Sequence, residues 1–105
     1  MKTEKYSLTL YIVGQTQKAR RAIENITKYC EEHLKDQYTV EVVDLKEHPE
    51  LAADKQIIAV PTLIKNLPDP IRILVGDLSD KQKVLVGLNI KHLPGDERSG
   101  KINNL

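Results

Sequence analysis

The sequence has no Trp and no Phe, and its only aromatic residues are four Tyr. A protein that grips single-stranded nucleic acid by stacking bases on rings carries more of them. Cysteine is nearly absent too, with Cys30 standing alone. One thiol excludes an intramolecular disulfide and a Cys-x-x-Cys redox pair, and it fits a reducing compartment. No sign of charge dominates: 16 Lys plus Arg stand against 15 Asp plus Glu, a formal net charge of +1. Broad electrostatic capture of nucleic acid or a membrane is therefore not expected. No apolar run approaches the roughly 20 residues of a spanning helix. Lys2 and Lys5 precede only a short apolar stretch, which Thr9 interrupts, so no secretory signal is expected. What remains is a cytoplasmic chain of 105 residues, 40% hydrophobic and 30% charged, enough for one domain with one modest core.

The apolar pattern changes period along the chain. From Tyr6 to Val13, Leu8, Leu10 and Ile12 alternate with Ser7, Thr9 and Tyr11, which predicts a strand that Gly14 breaks. Thr16 is placed to cap a helix. Behind it Ala19, Ala22, Ile23, Ile26, Tyr29, Cys30 and Leu34 form one helical stripe. Tyr38 to Leu45 reads as a second strand, so strand, helix and strand make a right-handed crossover unit with parallel strands. His48-Pro49 opens a short second helix, with proline at its first position, followed by Leu51, Ala52, Lys55 and Ile58. The run from Ile57 to Ile64 contains Pro61, which suggests a strand start or an edge. Leu67-Pro68-Asp69-Pro70 is a turn cluster. It predicts an antiparallel hairpin between Thr62–Lys65 and Ile71–Val75, ended by Gly76-Asp77.

The last segment supports two readings. Ser79 followed by Asp80 resembles a helix start, with Leu78, Gln82, Leu85 and Leu88 on one face. Val84, Val86, Leu88 and Ile90 also alternate as a strand would. Order is expected over about 6–93, and 94–105 reads as a polar tail.

No motif for a cofactor or metal emerges. Gly-x-Gly-x-x-Gly and Walker loops are absent, and His33, His48 and His92 have no partner ligands at zinc spacing. Gly76-Asp77-Leu78-Ser79-Asp80 could form an anion nest, but its two aspartates oppose phosphate, and a strand-to-helix turn capped by serine explains it better. Arg20, Arg21, Lys65 and Arg72 are dispersed basic residues that a protein partner could read.

The order β-α-β-α-β-β-α, with a proline opening the third strand, resembles thioredoxin. The resemblance makes Val60-Pro61 a candidate cis peptide bond. Thiol chemistry in that fold needs a thiolate at the start of the first helix, where the helix dipole lowers its pKa. Here that turn reads Gly14-Gln15-Thr16-Gln17-Lys18. Cys30 lies far along the apolar stripe, either as a buried core residue or as a thiol for exchange.

An ordered set of segments is more specific. Leu10-Tyr11-Ile12-Val13-Gly14-Gln15-Thr16, Val43-Asp44-Leu45, His48-Pro49-Glu50-Leu51-Ala52, Ala59-Val60-Pro61-Thr62-Leu63, Leu67-Pro68-Asp69-Pro70-Ile71-Arg72 and Gly76-Asp77-Leu78-Ser79-Asp80-Lys81 together resemble the circadian clock protein family KaiB, from about Tyr6 to Ile90. The resemblance implies a non-enzymatic regulator with no cofactor that binds the ring ATPase KaiC. It also implies a switch of fold. One state is thioredoxin-like and binds KaiC; the other rearranges the C-terminal half and assembles as a tetramer. Two packings within a few kcal/mol of each other suffice for such a switch. By the same resemblance Arg21, Lys65 and Arg72 are partner-binding residues, Gly87 is a hinge, and Asn89 stands where an aspartate is common. Ile73 departs from a basic position of the family. So does the tail, with Arg98, Lys101 and Asn103-Asn104 in place of an acidic run. A related regulator of stress signalling, a thioredoxin-fold oxidoreductase-like protein lacking the Cys pair, and a purely structural dimer or tetramer module are the alternatives.

Overall fold

The structure, a computed structural model, describes residues 5–90. His92 and the expected tail over 94–105 lie outside them. The elements are β1 (Tyr6–Ile12), α1 (Gln17–His33), β2 (Tyr38–Asp44), α2 (Glu50–Asp54), β3 (Thr62–Leu67), β4 (Arg72–Val75) and α3 (Lys81–Gly87). They form one four-stranded sheet of order β2-β1-β3-β4. β1 pairs with β2 in parallel, Leu10 opposite Val42. β3 runs antiparallel to β1, and β4 antiparallel to β3 with Leu63 opposite Leu74.

β1 occupies the interior of the sheet because both its faces are apolar. Leu8, Leu10 and Ile12 turn toward α1 and α3, where they meet Ala19, Ala22, Ile26, Tyr29, Cys30, Leu63, Val84, Leu85 and Leu88 in the main core. Tyr11 turns to the other face and joins Leu45 and Ile64, with Val43, Leu51, Ala52 and Ile57 packed around them. The helical stripe expected for α1 is thus the buried face, and Thr16 is its cap, accepting from the Ala19 N–H at 3.0 Å.

The two-way segment is helical in this conformation. Its cap is Asp80 rather than Ser79: the Asp80 carboxylate accepts from the Lys83 N–H, while the Ser79 N–H donates to Asp77. Leu78, Leu85 and Leu88 are buried as the helical reading requires and Val84 joins them, while Gln82 of that face is exposed. Burying a valine or leucine side chain contributes roughly 1.5–3 kcal/mol, and Val84, Leu85 and Leu88 together anchor so short a helix in the core.

Three expectations shift. Pro49 caps α2 instead of occupying its first turn. Ile58 does not continue the α2 stripe and is 95% exposed, because α2 has already ended in a left-handed turn at Gln56 (φ 56°). β4 begins at Arg72 rather than Ile71, whereas β3 begins at Thr62, directly after Pro61, as the expected hairpin has it, with Ile57 to Val60 a connection. Val60-Pro61 is cis, as the resemblance implies, and Leu67-Pro68 and Asp69-Pro70, which had read only as a turn, are cis as well.

Candidate partner-binding site

α1 and α3 lie side by side on one face of the sheet, and the loop from Gly76 to Asp80 joins β4 to α3 beneath the middle of α1. Three residues of α1 hold this loop. Asn25 donates to the Asp77 carbonyl at 2.8 Å, and the Tyr29 hydroxyl donates to the Leu78 carbonyl at 2.8 Å. The Arg21 guanidinium approaches the Asp77 carboxylate to 4.0 Å. The Ser79 hydroxyl and N–H, and after them the positive charge of Arg21, hold the Asp77 carboxyl below its usual range. Further along, Lys81 reaches Glu32 of α1 at 2.8 Å and lowers its carboxyl.

α3 ends in a left-handed cap. Asn89 has φ 59°, its N–H bonds to the Val86 carbonyl, and the Ile90 N–H bonds to the Leu85 carbonyl. This is the Schellman arrangement, and the accompanying apolar contact is supplied by Leu85 and Ile90, both in the core. Asparagine tolerates the left-handed region better than most residues. Tyr6 of β1 donates its hydroxyl to the Asn89 carbonyl at 3.3 Å. Gly87 is the last residue of α3, and a Cβ there would lie 2.7 Å from Leu74 Cδ2. Its smallness lets α3 approach β4, so alanine at this position does not simply strengthen the helix as propensity alone suggests.

Of the expected binding residues, Arg21 and Arg72 are exposed. Strand alternation places Arg72 on the same face as Leu74, the face that carries α1 and α3. Lys65 does not share that exposure. It is fully buried at 0%, with its ammonium 5.6 Å from the Tyr6 ring centroid, because it faces the same side as Leu63 from inside the sheet. Lys65 is therefore not at the surface in this conformation. Residue types alone missed the two tyrosines. Their signal was that a Tyr on an apolar stripe needs a partner for its hydroxyl.

The start of α1 holds no thiol. Val13, Thr16, Lys18, Ala19, Val60 and Pro61 line an open cavity of about 410 Å³ there. Cys30 is buried in the core, and loss of hydration pushes its thiol up to about 12. That is opposite to the shift a nucleophilic thiol requires. Among the described residues no group of three His, Cys, Asp or Glu is placed to hold a metal ion, and no helix is long and apolar enough to cross a membrane. His33 ends α1 and His48 is exposed beside Glu50.

The strand order, the parallel β1–β2 pair and the β3–β4 hairpin define a thioredoxin-like domain. Chloroplastic thioredoxin z superposes with a TM-score of 0.69 at 18% identity, covering 83% of this chain and 79% of that one. The N-terminal domain of Synechococcus elongatus SasA superposes with a TM-score of 0.62 at 20% identity, covering 87% and 90%. At the level of sequence, the KaiB domain family model matches residues 9–90. Circadian clock protein KaiB3 of Synechocystis sp. is 47% identical over 83 residues, 79% of this chain and 81% of that protein. Circadian clock oscillator protein KaiB of Rippkaea orientalis is 39% identical over 97 residues, 92% and 93%. The chain belongs to the KaiB family and so stands among circadian clock proteins.

Proposed function

We propose that this chain is a non-enzymatic cytoplasmic regulator that docks on a KaiC-type ring ATPase, in clock or clock-like stress signalling, through the side of the sheet that carries α1 and α3. The carrying observation is the helix at Lys81–Gly87: the chain stands in the thioredoxin-like arrangement, the state that the family resemblance ties to KaiC binding. Arg21 and Arg72 are two of the exposed cations of that side. The buried, high-pKa thiol supports a role without redox chemistry.

The segment from Ile57 to Ile90 is the two-state element of this reading, with Gly87 and Asn89 at its hinge. Its apolar residues satisfy two periodicities, and its helix has only seven residues bounded by left-handed Leu78 and Asn89. Leucine in that region is strained by about 1–2 kcal/mol, so the helix depends on contacts from the N-terminal half. The competing state is the tetramer.

A pull-down with the KaiC-type ATPase of the same organism, with and without ATP, tests the function. The wild type is retained, and a double Arg21→Ala, Arg72→Ala variant with unchanged circular dichroism is retained at least several-fold less. Equal retention of both, or none of the wild type, contradicts the proposal.

A further inference from the structure

We propose that the groove at the start of α1 is a docking site for an extended segment of a partner protein in which an acidic residue adjoins an apolar one. Buried Ala19 and Pro61 form its floor and exposed Val13 and Val60 its walls, around the open cavity of about 410 Å³. Val13 is 42% exposed and Val60 36%, and Ile58, two residues before Val60, continues the apolar surface. None of these three belongs to either core cluster. Single exposed apolar residues carry no meaning, but a concave group of them marks an interaction site.

The main chain sets the form of the occupant. The Gly76 N–H takes the Pro61 carbonyl at 2.9 Å, and pairing with β4 goes no further upstream. Among the described residues, the Val60 N–H and carbonyl have no main-chain partner. A free donor and acceptor beside an apolar groove suit an extended chain, which pairs through its backbone and seats alternate side chains. A helix, whose N–H and C=O groups are spent internally, would leave them bare.

Charge sets its composition. Lys18 is exposed and is the one charged side chain among the described residues that line the cavity. Lys46 adds a second cation on the rim, its side chain passing close to Gly14, the neighbour of Val13. The nearby carboxylates are engaged: Asp44 with the Gly14 and Lys46 N–H groups, Asp77 with Ser79 and Arg21. An incoming Glu or Asp is therefore attracted, and an incoming Lys is repelled.

Backbone NMR titration of the full chain with a hexapeptide of alternating leucine and glutamate tests the proposal, with the leucine–lysine hexapeptide as control. The acidic peptide shifts the amides of Val13, Lys18 and Val60 to saturation and slows exchange of the Val60 amide. It binds about fivefold or more tightly than the control. Lys18→Glu, at an exposed position, leaves the free spectrum unchanged away from the groove and reverses the order of the two peptides. Val60→Ser, which trims one wall, weakens binding of the acidic peptide. Shifts that do not saturate, shifts confined to other residues, or an order that survives Lys18→Glu overturns the proposal. Shifts of the same amides on raising protein concentration without peptide assign the groove to a second copy of the chain and overturn it as well.

Discussion

The Tyr29 hydroxyl donates to the Leu78 carbonyl across 49 positions of sequence, tying the middle of α1 to the residue whose left-handed backbone turns the chain into α3. This bond is buried, and it joins the half of the chain with an unambiguous pattern to the half that carries two. Tyr6 makes the matching connection at the far end, to Asn89. α3 is therefore held at its start and its end by hydroxyls from outside the two-state segment.

Tyr29→Phe should weaken α3 by about 0.5–1.5 kcal/mol, the usual net value of a hydrogen bond. Tyr6→Phe, which loses a longer and less buried bond, should cost less. Amide hydrogen exchange at 84–88 should accelerate roughly 2–10-fold in Tyr29→Phe, while exchange in β1 stays unchanged. Uniform acceleration throughout the chain would mean that the bond supports the whole domain and not α3 in particular.

Gly87→Ala combines two opposed effects. Alanine is favoured over glycine by about 1 kcal/mol in a helix, but the new Cβ overlaps Leu74. The substitution should stabilise the thioredoxin-like state when Leu74 is first trimmed to alanine, and should do so less, or reverse sign, when it is not. Chemical denaturation of the four variants should yield a coupling of about 0.5–3 kcal/mol. Additive effects would contradict the close approach of α3 to β4.

The left-handed caps make a graded series. Asn89→Ala should destabilise by about 1–2 kcal/mol and Asn89→Gly should be close to neutral. Gln56→Gly should stabilise by up to about 1 kcal/mol, since Gln56 is exposed and caps α2 with φ 56°. Thermal melts rank the three, and a stabilising Asn89→Ala would contradict the cap.

Acid should act through two turns. Asp44 accepts N–H bonds from Gly14 and Lys46, which lower its carboxyl pKa, and Ser79 does the same for Asp77. Both pKa values are depressed in the folded state, so the associated stability is fully present above the unfolded carboxylate range near pH 4. It is lost as pH falls through the lower folded values. Asp44→Asn should flatten the acid limb of the stability curve and leave neutral pH little affected. An unchanged acid limb in both Asp44→Asn and Asp77→Asn would show that these bonds do not set it.

Much of this fold was legible because the N-terminal half has one strong pattern per segment. The alternation at Leu8, Leu10 and Ile12 and the three- and four-residue steps from Ala19 to Leu34 admit one arrangement each. The segment from Ser79 to Ile90 does not, since its helix depends on Tyr29, Tyr6 and the fit of Gly87 against Leu74, all of them long-range contacts invisible to a local pattern. The site was less legible. Arg21 and Arg72 are exposed, but Lys65 is two residues from Leu63 on a central strand, and strand alternation carries it inward whatever its charge. The capping serine gave way to Asp80 because Ser79 is held back by Asp77.

The most direct test of the account is the backbone state of 81–87 while the chain is bound to a KaiC-type ATPase. Cα and carbonyl chemical shifts of the labelled chain in the ATP-loaded complex should be helical for Lys81–Gly87, with the Asn89 turn retained. A complex in which those residues show extended shifts would contradict the assignment of binding to the thioredoxin-like state.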